Sequence, residues 1–147
     1  MIPTYLHMSV EQSLPKCPLV RPFAAVVILR HTLSHPNFEE ISRWLVDHGC
    51  LYMMAWGIEC KRFHDYVDDA NIQAFPGEEV PDEAFVMTTW HDDEPLEEVL
   101  WFAEHCTHHN GEEFDHLLLL DIAEEACTEE VLGELERSRD LHLRNSE

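Results

Sequence analysis

"FAAVVIL", residues Phe23–Leu29, decides the fold. The run is continuously apolar, without the alternation of a strand that has one wet face. It therefore predicts a strand covered on both sides. Similar runs return at "CLYMMAWG" (Cys50–Gly57), "AFVMTTW" (Ala84–Trp90) and "HLLLLDIA" (His116–Ala123). Between and after them lie helical patterns. "NFEEISRWLVDHG" has Phe38, Ile41 and Leu45 on one face, Asn37 and Glu40 at capping-box spacing, and Gly49 where a helix ends. "FHDYVDDANIQAF" spaces Phe63, Val67 and Ala70 helically. "PLEEVLWFAEHC" carries an inward stripe of Leu96, Val99, Leu100, Ala103 and Cys106, and "EEACTEEVLGELERSR" offers Ala126, Val131 and Leu135.

Short apolar runs alternating with helices mean βαβ units. The expectation is a single three-layer α/β/α domain over residues 23–140, with a four-stranded, mainly parallel sheet of flavodoxin-like or Rossmann-like topology. Right-handed crossovers favour the order 2-1-3-4, counted along these four runs. Residues 1–22 contain Pro3, Pro15, Pro18 and Pro22 and read as an irregular N-terminal segment; residues 141–147 read as a C-terminal tail.

Charge is the strongest global signal. The chain of 147 residues carries a formal net charge of −21. Residues 1–62 hold six Lys/Arg and five Asp/Glu, whereas residues 63–136 hold 23 Asp/Glu and no Lys or Arg. Such a stretch repels polyanions, which disfavours nucleic acid and anionic membrane as partners and suits a basic protein. Solubility alone also accounts for it. No apolar run reaches the length of a membrane span, and the N-terminus lacks a signal-peptide pattern. Five widely spaced cysteines without a CxxC pair point to free thiols, and so to the cytoplasm. Nothing specifies an oligomeric state.

In open parallel sheets, ligands bind beyond the strands' carboxyl ends, where the strand order reverses. With the expected order, that point lies between "RHTLSHP" (30–36) and "TTWHDDEP" (88–95), flanked by "WGIECKR" (56–62). Asp121 lies near the end of the fourth run. The ligand-binding candidates are therefore Arg30, His31, Trp56, Thr89, Trp90 and His91. Cys60 is the candidate nucleophile, because it precedes a helix beside Lys61 and Arg62; His31, His64 or His91 would serve as its base. A half-buried loop thiol is the plainer account. The five glycines are isolated, so no phosphate-binding loop and no organic cofactor is expected. A response-regulator site would need acidic residues where Arg30 and His31 stand. No nucleophile elbow supports a Ser-His-Asp triad.

A divalent metal has some pattern behind it. "HCTHH" places His105 three and four residues before His108 and His109, which would put them on one helical face. His64 with Asp68 and His91 with Asp93 are two-ligand fragments. The alternative for "HCTHH" is a helix C-terminus, where histidine suits the negative end of the dipole. In "VMTTWHDDEPLEEV" (86–99) the acidic half reads as a helix start, with Asp92, Asp93 and Glu94 capping free N–H groups before Pro95. Trp90 and His91 are left over, and with Trp56 they suggest a pocket floor or a contact patch.

"LYMMAWG" (51–57), "VDDANIQAF" (67–75) and "FVMTTWHDDEPLEEVLWFAEHC" (85–106) resemble a family of small bacterial proteins to which no activity is assigned. The resemblance spans roughly 23–123 and implies a bacterial cytoplasmic protein. Three functions stay open: a non-enzymatic module for a basic partner (an immunity, antitoxin-like or regulatory protein), an enzyme or small-ligand binder at the strand ends, and a metal-binding protein acting through histidines.

Overall fold

The computed structural model describes residues 1–20 and 22–145, with side chains as far as residue 141. In chain order the elements are β1 (Ile2–Met8), β2 (Phe23–Leu29), α1 (His35–Asp47), β3 (Cys50–Gly57), α2 (Cys60–Gln73), β4 (Met87–His91), α3 (Leu96–His105), β5 (His108–His109), β6 (Glu112–Glu113), β7 (His116–Ile122) and α4 (Thr128–Asn145). The main sheet runs β1-β7-β2-β3-β4, and each pairing in it is parallel. β5 and β6 form a small hairpin across Asn110 and Gly111, both at positive φ, as a tight two-residue turn requires.

Every residue of β2 is buried, and β2 is the middle strand, as its unbroken apolarity demands. Ala25, Val27 and Leu29 pack with Phe38, Ile41 and Leu45 of α1 and Phe63 and Val67 of α2. Ala24, Val26 and Ile28 pack with Leu96, Val99, Leu100 and Ala103 of α3 and Val131 and Leu135 of α4. The result is three layers, α1 and α2 on one face and α3 and α4 on the other. Among the described residues, no helix is long and apolar enough to cross a membrane.

Several details differ from expectation. The sheet has five strands, and the expected order 2-1-3-4 is replaced by β1-β7-β2-β3-β4. β4 pairs with β3 at the edge, and β7 takes the place beside β2. This is the Rossmann arrangement, in which strands step outward on one side and then cross back over the first. Here the outermost place beyond β7 is filled by the chain's own first strand. Residues 2–8 are thus not irregular: Pro3 weakens the strand signal, but an edge strand tolerates a residue without an N–H. α4 continues through the expected tail to Asn145, and the last two residues of that tail lie outside the described residues.

Helix and strand starts shift for local reasons. Ser34, not Asn37, caps α1, its Oγ accepting the Asn37 N–H at 3.3 Å, with Pro36 in the first turn. β4 begins at Met87, after a 3-10 turn at Asp82–Ala84, and not at Ala84. The Asn71 side chain explains this. Its Nδ2 donates to the Ala84 carbonyl and its Oδ1 accepts the Val86 N–H, both at 3.0 Å, so these groups are satisfied by α2. Ala126, expected in the core, is exposed before α4 begins.

Candidate functional sites at the strand ends

The observed order moves the switch point to the carboxyl ends of β2 and β7. Arg30 follows β2, and Asp121 lies near the end of β7. Asp121 is fully buried and accepts two hydrogen bonds, from Arg30 Nε at 3.1 Å and from the Tyr5 hydroxyl at 2.6 Å. Arg30 Nη1 also donates to Glu130 on α4, at 3.1 Å. The Tyr5 oxygen in turn accepts the Cys127 N–H at 2.8 Å, tying β1 to the approach of α4. Burial, reinforced by Asp121, pushes the Tyr5 phenol up to about 12. Burial works against the Arg30 charge, but its bonds to Asp121 and Glu130 outweigh burial and hold it above its ordinary value. The crevice where this sheet type usually takes a ligand is thus occupied by an internal ion pair. Nη2 of Arg30 is buried there without a hydrogen-bond partner.

A second cluster surrounds β4, whose alternate residues face opposite layers. On the α2 side, the Thr88 hydroxyl donates to Asp68 at 2.6 Å. The Trp90 ring meets His64 edge-on, with centroids 4.7 Å apart, and Lys61 Nζ stands 5.4 Å over it. On the α3 side, Thr89 Oγ1 lies 2.8 Å from His91 Nε2, and Glu94 holds His91 Nδ1. Phe102 packs against the imidazole, and Trp56 Nε1 donates to the Glu94 carbonyl at 2.8 Å. Glu94 therefore does not cap α3, as expected, but fixes His91 and Trp56. Pro95 is the N-cap residue, and no side chain bonds the free N–H groups there; the acidic residues of the first turn are Glu97 and Glu98.

The structure therefore divides the candidates. Trp56, Thr89 and His91 come together through Glu94, while Trp90 faces the opposite layer. Arg30 is engaged on the β7 side, and His31 bonds the carbonyl of its neighbour Thr32. Cys60 is 2% exposed, and burial pushes its thiol up, the reverse of what a nucleophile needs. His105, His108 and His109 do not share a helical face: α3 stops at His105, which bonds the Trp101 carbonyl, while His108 and His109 lie on the hairpin, where His109 bonds the Phe85 carbonyl. Metal-ligand spacing among the described residues occurs instead at His64, Asp65 and Asp68. There the two carboxylates engage opposite nitrogens of one imidazole, and Lys61 and Thr88 already bond them.

Tyr5 and Glu130 were missed. Nothing in a pattern of apolar runs marks a tyrosine in a proline-broken segment, and Glu130 is one of many acids. A recess of about 640 Å³, lined by Cys50, Asn71, Ala74, Phe75 and Val86 among others, opens at the opposite, amino ends of the strands.

The family model described as "Domain of unknown function (DUF7684)" matches residues 3–138. The chain belongs to this family. The family match begins within β1 and ends within α4, so it takes in the N-terminal strand that the resemblance over 23–123 leaves out. Within the family domain, then, Tyr5, Arg30, Asp121 and the β4 cluster all belong to one unit. No curated protein and no solved structure matches the chain.

Proposed function

We propose that this chain is a non-enzymatic interaction module that engages a basic protein partner through the acidic surface running from α2 to α4. The observation that carries this reading is the stretch 63–136, with 23 Asp/Glu and no Lys or Arg. Internal ion pairing does not remove the excess: Arg30, Lys61, Arg62, Arg137 and Arg139 each neutralise a carboxylate of the same chain, and the net charge of −21 is what remains after every Lys and Arg is counted. The strand-end candidates also fail to converge on one pocket. Attraction between such a surface and a basic partner raises the rate of encounter and fades with salt. An immunity, antitoxin-like or regulatory role in the bacterial cytoplasm fits, as do five cysteines that form no disulfide.

The test is capture from a lysate of the source bacterium on immobilised protein. A basic protein should be retained at about 0.05 M salt and released by about 0.5 M. A variant with Asp92, Asp93, Glu97 and Glu98 changed to Asn or Gln should retain less. Recovery of no protein at any salt overturns the reading.

Thr89, His91 and Glu94 favour a second reading, an acyl-transfer site. They stand in the order hydroxyl, imidazole, carboxylate that activates a nucleophile. Hydrolysis of p-nitrophenyl acetate tests it. Rates that fall in both Thr89→Val and His91→Gln support it, and rates equal to the parent's in both variants sink it.

A further inference from the structure

β4 is an edge strand that the fold leaves open. It pairs with β3 on one side, and among the described residues no backbone–backbone hydrogen bond reaches it from any other segment. Alternate residues of such a strand turn their N–H and C=O groups away from the sheet, a template for another strand. Proteins blunt such edges with proline, bulges or charges placed on the strand. β1, the other edge, carries Pro3. β4, "MTTWH", has no proline, no Lys, Arg, Asp or Glu, and no register shift against β3. Its rim is apolar: Phe85 is 48% exposed, Met87 42% and Trp90 42%.

The surroundings of that rim are acidic. From 78 to 98 the chain has Glu78, Glu79, Asp82 and Glu83 before β4, and Asp92, Asp93, Glu94, Glu97 and Glu98 after it, with no Lys or Arg, and Lys61, which stands over Trp90, is itself paired with Asp65. A second copy of the chain pairing antiparallel through β4 would set the acids after one strand beside the acids before the other, and like charge opposes that. An extended segment with basic residues meets opposite charge at both ends of the strand and apolar side chains between them.

We propose that β4 is a docking edge for an extended, basic and apolar segment of a partner protein, which adds to the sheet as a sixth strand. The proposal rests on the reading of the chain as an acidic module and names the surface that module uses. Main-chain bonds to β4 give affinity, contacts with Met87 and Trp90 give register, and the flanking carboxylates give the charge preference.

The test uses a ten-residue peptide of alternating lysine and valine and the same peptide N-methylated throughout, which keeps charge and side chains but cannot form a strand ladder. Binding is followed by amide chemical shifts of the full chain at low salt. The unmodified peptide should bind at least tenfold more tightly than the methylated one. It should shift the amides of residues 87–91 and slow their exchange at alternate positions, leaving β1 unchanged. The double variant Met87→Lys, Trp90→Lys should weaken binding about tenfold with an unchanged circular dichroism spectrum. Equal, salt-sensitive binding of both peptides overturns the docking edge while leaving the acidic-module reading standing. Binding of neither peptide, or a dimer of the free chain that buries β4, overturns the docking edge as well; the lysate experiment then decides the module reading by itself.

Discussion

Asp121 sits where the chemistry of a single residue is most exposed to change. It is a carboxylate with no solvent contact, held by one guanidinium and one phenol. Removing one partner of such a pair leaves a buried charge without compensation, which costs far more than the pair adds when intact. Arg30→Ala should therefore lower stability by about 3 kcal/mol, the low end for a broken buried pair because Arg30 is partly exposed. Glu130→Gln, on the exposed side, should change it by under about 0.5 kcal/mol. Urea denaturation of the two variants separates them. Tyr5 offers a test by pH. Its phenol ionises near 12 in the folded chain, above the ordinary value near 10. The folded state thus holds the proton longer, so the contribution of Tyr5 to stability is intact below about pH 10 and is lost as pH rises through about 12. Burial raises the Tyr52 phenol as well, so in an ultraviolet titration Tyr5→Phe should lose one late tyrosinate step, near pH 12, and keep that of Tyr52.

Among the elements, the end of β3 shows how closely the strands are held. Gly57 has φ +104, and Ile58 N–H donates to the Leu29 carbonyl at 2.9 Å. A Cβ at position 57 would collide with that same carbonyl oxygen. Gly57→Ala adds a strained backbone to the collision, so a loss of more than about 1 kcal/mol is expected, read as a lower urea midpoint. The elements also show what was legible in advance. The apolar faces of α1 and α3 follow directly from spacing, because a helix repeats its face every three to four residues whatever it packs against. β1 was not legible. Its apolar residues Ile2, Tyr5, Leu6 and Met8 are broken up by Pro3, Thr4 and His7, and Pro3 looks like a breaker until the strand is seen to lie at an edge. The α3 start was half legible. The acidic first turn is there in Glu97 and Glu98, but Glu94 reaches back to His91, a contact made because β4 and α3 are joined by a short turn.

At the scale of the whole molecule, charge dominates. A net charge of −21 on a chain of 147 residues opposes compaction through self-repulsion. Screening relieves it, so the melting temperature should rise as salt increases from about 0.02 to about 0.3 M, where the screening length falls well below the span of the acidic surface. A differential scanning fluorimetry series reads this directly, and a flat or falling series would mean that the internal ion pairs, weakened by the same salt, matter more than the repulsion.

The sequence by itself determined the layers and the charge. Four apolar runs and four helical patterns are local periodicities, and each states which face of an element is buried. Charge is a sum over residues and needs no structure. Only the tertiary structure decided which strands are neighbours, because parallel pairing joins residues far apart in the chain, and periodicity records a face but not a partner. That decision moved β7 beside β2 and sent β4 to the edge. It gave the switch point to Tyr5, Arg30 and Asp121, gathered Trp56, Thr89 and His91 around Glu94, and left Trp90 on an open rim.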